Sequence, residues 1–134
     1  MTLEELNLHF AAVSELNSAR DRLLSMTSFL KAANMDGMPG ASGESRKVEK
    51  LAILIEQQSE EVARMERVVQ RSEKRVREFI GSIQDNRTAQ IFSLRFLAGY
   101  GWQEVAAIIG GKNTEDAVKA VCYRYLQQEP APPI

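Results

Sequence analysis

The sequence predicts an all-α fold, and three observations carry that prediction. Apolar residues recur every three or four positions through two long segments. Valine and isoleucine repeat at every seventh position of the second segment. No stretch alternates polar and apolar residues as a half-buried strand does. The expected architecture is a long antiparallel, coiled-coil-like helical hairpin over 1–83, a tri-helical helix-turn-helix unit over 84–128, and a frayed tail at 129–134.

The first helix is expected over residues 2–33. Thr2 and Glu5 have the spacing of a capping box. Leu3, Leu6, Phe10, Val13, Leu16, Leu23, Met26 and Leu30 follow at helical spacing, and neither glycine nor proline intervenes before Gly37. The stretch NMDGMPGASGES, residues 34–45, holds three glycines and a proline and reads as the loop that reverses the chain. The second helix is expected over 46–83. Its seam is Val48, Ile55, Val62, Val69, Val76 and Ile83, with Leu51, Gln58, Met65, Ser72 and Phe79 as the companion row. Gln58 and Ser72 interrupt that row, to fix register or to face a polar residue on a partner. At 1.5 Å per residue the two helices come to about 48 and 57 Å, similar lengths that favour a hairpin. Ile53, Leu54, Val68 and Ile80 lie off the seam. They call for a second contact, with the C-terminal unit or with another copy in a four-helix dimer.

Three shorter helices are expected after residue 84. The first covers 86–98 and ends at Gly99, with Ile91, Leu94 and Phe96 or Leu97 inward. The second is Trp102 to Ile109. Gly110 and Gly111 supply a turn that can visit positive φ, and Asn113 or Thr114 caps the helix that follows. In that last helix Ala117, Val118, Val121, Cys122 and Tyr125 make the inward face. Asp116, Lys119, Ala120, Tyr123, Arg124 and Gln127 are left outside or at the margin. Two helices around such a turn are the arrangement that sets a second helix into the DNA major groove.

The stretches IFSLRFLAGYGWQEVAAIIG and DAVKAVCYRYL resemble region 4 of sigma-70-type factors. The residues that match are Trp102, Glu104, Val105, Ala106, Ile109 and Gly110, then Val118, Lys119, Arg124 and Leu126. In GGKNTEDAVK the passage into the last helix is two residues longer than the sigma pattern. The whole layout, from long helix through glycine-rich loop and heptad helix to terminal helix-turn-helix, is similar to sigma-region-4-like transcription activators of phages and prophages. These are late-gene regulators of phages that infect Gram-positive bacteria. The resemblance implies a sequence-specific DNA-binding transcription regulator, phage-derived, that reads the major groove with residues 114–127. The residues expected to meet bases are Thr114, Lys119, Ala120, Tyr123 and Arg124. Double-stranded DNA is the expected partner, with RNA polymerase and a second copy of the chain as further candidates.

Charge bears on that expectation. The net charge is −1, so nucleic-acid binding needs a local patch. Residues 1–63 hold 6 basic and 10 acidic side chains, residues 64–95 hold 8 and 4, and residues 96–134 hold 3 and 4. The basic excess therefore lies just upstream of the helix-turn-helix. Arg64, Arg67, Arg71, Lys74 and Arg75, three or four apart, form a stripe suited to a phosphate backbone, and Lys112 in the turn joins them as a phosphate contact. The same stripe is equally readable as a solvated face paired with Glu66, Glu73 and Glu78. Glu115 and Asp116 have a structural reason to open the last helix, since its dipole favours carboxylates there.

Two other readings stay open. Small terminase subunits also join helix-turn-helix units to oligomerising helices, which would make this a phage packaging component. Alternatively the helix-turn-helix is only a fold, within a protein–protein adaptor on RNA polymerase. Enzymatic activity is not expected: no nucleophile–base pair or phosphate loop is evident, and no cofactor is implied. Cys122 is the lone cysteine and His9 the lone histidine, far apart in sequence, which excludes an intrachain disulfide and argues against a metal site. Cys122 reads as a buried inert thiol, and His9 as a surface or core residue of its helix. No apolar run approaches the roughly 18 residues that suggest a membrane span. The acidic N-terminus is unlike a signal peptide, so a cytoplasmic protein is expected.

Overall fold

A computed structural model describes residues 1–35 and 42–128. The expected tail and the centre of the expected loop lie outside the described residues. The fold is all-α, and among the described residues there is no strand. The helices are α1 (Leu3–Met35), α2 (Ser42–Gly81), α3 (Asn86–Phe92), α4 (Trp102–Ile109) and α5 (Glu115–Gln128), and α3 passes directly into a π-helical turn at Ser93–Leu97.

Each boundary has a local cause. Thr2 and Glu5 form the capping box in both directions: Thr2 N donates to Glu5 Oε2 and Glu5 N donates to Thr2 Oγ1, each at 3.1 Å. Helix α2 begins four residues earlier than expected, because a single glycine such as Gly43 costs a helix about 1 kcal/mol and does not stop it. It ends at Gly81, two residues short of Ile83, where Ser82 N and Ile83 N close a tight last turn onto Phe79 O and Ile80 O. Ile83 is buried although it lies past the helix. Asp85 caps α3, accepting from Thr88 N at 3.1 Å and Thr88 Oγ1 at 2.6 Å. Those two bonds hold its carboxyl below the ordinary range. Gly99, at φ 82°, ends the π turn, and Tyr100 N donates back to Leu94 O at 3.1 Å.

The chain forms two compact units, and they divide at 13/14 and 69/70 rather than at the expected 83/84. Unit 1 joins Met1–Val13 to the chain from Gln70 onward. Its core takes Leu6 from α1 and Val76, Phe79, Ile80 and Ile83 from α2 and its end. Ile91, Phe92, Phe96, Trp102, Val105, Ala106, Val118 and Cys122 complete it. Phe92 lies near the middle, edge-on to Phe79 at 5.5 Å and to Tyr125 at 5.7 Å between ring centroids. The boundary differs from expectation because three helices of 7 to 14 residues expose more apolar surface than they can cover among themselves. The ends of α1 and α2 cover the rest. Within this unit α1 and α2 run antiparallel, as the pairs Glu5–Arg75 and His9–Ser72 require.

Unit 2 is Ser14–Val69, again an antiparallel pair of helical segments. Leu16, Ala19, Val62 and Val69 are the buried apolar residues among those described. Gln58 donates from Nε2 to Ala19 O at 3.1 Å. In unit 1, Ser72 Oγ meets His9 Nδ1 at 2.5 Å. Both polar interruptions of the seam thus face a polar group of α1.

Candidate nucleic-acid interface

The helix-turn-helix is built from backbone rules that its residues satisfy one by one. Gly101 opens α4: its carbonyl accepts from Val105 N at 2.9 Å, and its N–H donates to Glu104 Oε1 at 3.4 Å. At the other end Gly110 N donates to Ala106 O, and Gly110 and Gly111 have φ of 77° and 69°. Side-chain-bearing residues rarely adopt two such angles in succession. Asn113 then ties the turn together. Its Nδ2 donates to Gly110 O at 2.7 Å, and its Oδ1 accepts from Arg87 Nη2 of α3. Thr114 caps α5 by accepting from Ala117 N at 3.1 Å.

Val118 and Cys122 bury one side of α5. Ala117, expected on the inward face, is exposed, because it occupies the first turn, before the packed stretch begins. The residues expected to read bases fall into three groups. Tyr123 and Arg124 are exposed, and Tyr123 lies edge-on to Trp102 at 6.4 Å. Ala120 is half-buried. Thr114 and Lys119 are engaged locally: the Thr114 hydroxyl serves the cap, and Lys119 Nζ lies 3.4 Å from Glu115 Oε1. Arg124 forms no ion pair among the described residues.

The basic stripe separates in the same way. Arg64 is paired with Glu61, and Arg75 lies 3.4 Å from Glu5. Arg77, beside the stripe, lies 3.3 Å from Glu73, and Glu66 is taken by Arg20 at 3.1 Å. Arg67 in unit 2, Arg71 and Lys74 in unit 1, and Lys112 in the turn are exposed and form no ion pair among the described residues.

Arg87 and Arg95 add to the basic count of the sequence but serve the fold. Arg87 holds the turn through Asn113. The Arg95 guanidinium sits 3.6 Å from the centroid of Phe10 and 4.6 Å from that of Trp102, and donates to Tyr100 O at 3.2 Å. Burial lowers its pKa from the usual arginine value. Its place between apolar neighbours in SLRFL was the available signal for this role. The Arg87–Asn113 pair, 26 residues apart, left none.

Cys122 and His9 are both interior. Burial pushes the Cys122 thiol up to about 12, the charge of Arg95 opposing it, so the thiolate that reactivity needs is scarce near neutral pH. Burial lowers the His9 pKa, against the opposing pull of the Glu73 carboxylate and the Phe96 backbone. That backbone faces the ring without forming a good hydrogen bond to Nε2. Among the described residues no group of three or more His, Cys, Asp or Glu is set to hold a metal ion, and no helix is long and apolar enough to cross a membrane. Comparison with protein-family models, with curated proteins and with solved structures found no match.

Proposed function

We propose that this chain is a sequence-specific, DNA-binding transcription regulator of phage origin, working in the cytoplasm, with α5 as its major-groove reader. The observation that supports the reading is the α4–turn–α5 element. It has two glycines at positive φ, a capped second helix, and Tyr123 and Arg124 exposed beyond the buried Val118–Cys122 side. Tyr123 and Arg124 are the base-facing pair in this reading, with Ala120 beside them. Lys119 contributes less, because Glu115 holds it. Arg71, Lys74 and Lys112, all of unit 1, are the phosphate contacts; Arg75 contributes only by leaving Glu5. Acidic Glu115 and Asp116 keep the affinity of α5 alone low. RNA polymerase or a second copy of the chain supplies the remainder by raising effective concentration.

The test is selection of bound fragments from a random DNA pool, followed by fluorescence-anisotropy titration of the selected sequence. Arg124→Ala is expected to weaken binding by roughly tenfold or more, since a well-made base contact is worth about 1–3 kcal/mol. Lys74→Ala is expected to weaken all sequences alike and to lower the salt slope by about 1. No enrichment from the pool, together with no salt-dependent affinity at low ionic strength, overturns the reading in favour of a protein–protein adaptor.

A further inference from the structure

Arg95 sits at the meeting point of three elements of unit 1. Its guanidinium carbon lies 3.6 Å from the centroid of Phe10 on α1 and 4.6 Å from that of Trp102 on α4. Its Nη1 donates to Tyr100 O, at 3.2 Å, in the approach to α4. Burial lowers its pKa, and the Tyr123 phenol and the Cys122 thiol of α5 oppose that shift, so its charge reaches the third element as well. This placement is costly. The Arg95 Nε is buried and meets no acceptor among the described residues. An unpaired buried donor destabilises a fold, and drawing a cation out of water adds to the cost.

An apolar side chain of similar length would fill the space without that cost, so filling space is not what Arg95 adds. It adds direction. A guanidinium is attracted to the face of an aromatic ring, and most strongly to that of tryptophan. The cation therefore holds Trp102 by its face. Phe96 holds the same ring at 87°, with 6.2 Å between centroids. Trp102 in turn stands at 75° to Tyr123, 6.4 Å away. Phe96 is fully buried, Trp102 is 9% exposed and Tyr123 39%. The series thus runs outward from the core to the open face of α5, and Tyr123 is its last member.

From this we infer that Arg95 is a positioning residue: it orients Trp102, and Trp102 holds the Tyr123 ring in one rotamer before DNA binds. The inference rests on the reading of Tyr123 as base-facing, and it adds a residue that serves recognition without touching DNA. Ordering a loose side chain at an interface lowers affinity, and for one side chain the loss comes to about three- to tenfold. A ring held in advance avoids that loss. Engaged by Phe10, Trp102 and Tyr100 O, Arg95 has no free charge for phosphate, so its removal leaves the salt dependence of binding as it is.

Anisotropy titration of the full chain on the selected DNA tests it, in a cycle of Arg95→Met and Tyr123→Ala. Arg95→Met alone is expected to weaken binding about three- to tenfold. In the Tyr123→Ala background it is expected to weaken binding by less than about twofold, because the ring it positions is gone. The salt slope is expected to stay unchanged; a fall of about 1 would make Arg95 itself a phosphate contact and overturn the inference. Unchanged affinity on Arg95→Met overturns it too, as does a loss equal in both backgrounds, which marks a purely structural role. Should Arg95→Met lower the helix content by circular dichroism, the native chain decides. Its three-bond couplings about χ1 of Tyr123 are expected to report a single staggered rotamer without DNA, and averaged couplings overturn the inference. No enrichment from the random pool, by contrast, overturns the base-reading role of α5 and takes the inference with it; the other outcomes leave that role standing.

Discussion

Unit 1 gathers thirteen apolar side chains into one core, including Phe79, Phe92, Phe96 and Trp102. Unit 2, Ser14–Val69, buries four among its described residues. Both contain stretches of the same two helices, with the same heptad pattern. The difference lies in what else approaches the seam. Two antiparallel helices meet along a line, and each residue on that line keeps solvent on its flanks. In unit 1 three further helices close those flanks, so Ile80, off the expected seam, is buried. Ile53, Leu54 and Val68 in unit 2 are not. A heptad row thus announces a contact without determining how much water that contact excludes.

The widest separation between the units is expected from core truncations. Phe92→Ala removes a fully buried ring with two edge-on aromatic neighbours and is expected to destabilise unit 1 by about 3–5 kcal/mol. Leu16→Ala in unit 2 is expected to fall nearer 2 kcal/mol, because a two-helix pair can collapse on the space left. Native-state hydrogen exchange reads each unit separately. Equal losses at the two sites would break the comparison.

A backbone substitution sharpens what closes unit 1. A Cβ placed on Gly110 meets nothing within 4 Å, so Gly110→Ala carries only the strain of φ 77°. With ψ at −167° this backbone is one that essentially only glycine adopts, and the strain is on the order of 1–3 kcal/mol. Gly81→Ala is also free of contacts and needs no left-handed backbone, so it is expected to be neutral or stabilising by up to about 1 kcal/mol. Urea midpoints of the two variants should move in opposite directions or differ clearly. A Gly110→Ala variant with unchanged midpoint would mean the turn is not held as described.

Much of this division was open to sequence reasoning, and the remainder was closed to it for identifiable reasons. The Thr2–Glu5 box, the glycine turn and the Thr114 cap are local, encoded within three or four residues, and all form as read. The all-α class follows from the same short-range periodicity. The unit boundary is not local. Nothing in Phe79 or Ile80 tells which of several apolar faces they will meet. Charges behave alike: a stripe counts arginines, whereas the partners of Arg75 and Arg20 lie 70 and 46 residues away. Arg64 had a readable partner at three residues' distance in Glu61. The expected base-facing residues divide because the Lys119–Glu115 pair and the Thr114 cap engage two of them, while Tyr123 and Arg124 stay clear.

Acid should also act on the units unequally. His9 is buried in unit 1, with its pKa lowered below the ordinary 6.5. The unfolded chain therefore binds a proton in a range where the folded chain does not. Stability from this group is fully present above about 6.5 and is lost as pH falls toward the folded value. Glu5, Glu61 and Asp85, all lowered below the ordinary 4.5 or 3.8, titrate further down and leave the interval from 6.5 to about 5 to His9. Unit 1 of the native chain is expected to lose exchange protection between pH 7.5 and 5, more than in His9→Gln. Unit 2, whose buried side chains among the described residues are all apolar, is expected to hold over that range. Matching losses in both units would remove His9 as the cause.

The smallest expected effect concerns the ion pair that joins the two helical segments of unit 2. Arg20 and Glu66 are 3.1 Å apart, yet their side chains are 51% and 39% exposed. Water screens such a pair, and holding two long side chains in one geometry offsets what attraction remains. A double-mutant cycle with Arg20→Ala and Glu66→Ala is expected to give a coupling of about 0.5 kcal/mol or less, falling toward zero in 1 M salt, where the screening length is about 3 Å. A coupling above about 1 kcal/mol that survives salt would mean the pair is shielded from water in solution. The cycle therefore tests, with its least energetic contact, how far water reaches the flank of the unit 2 seam.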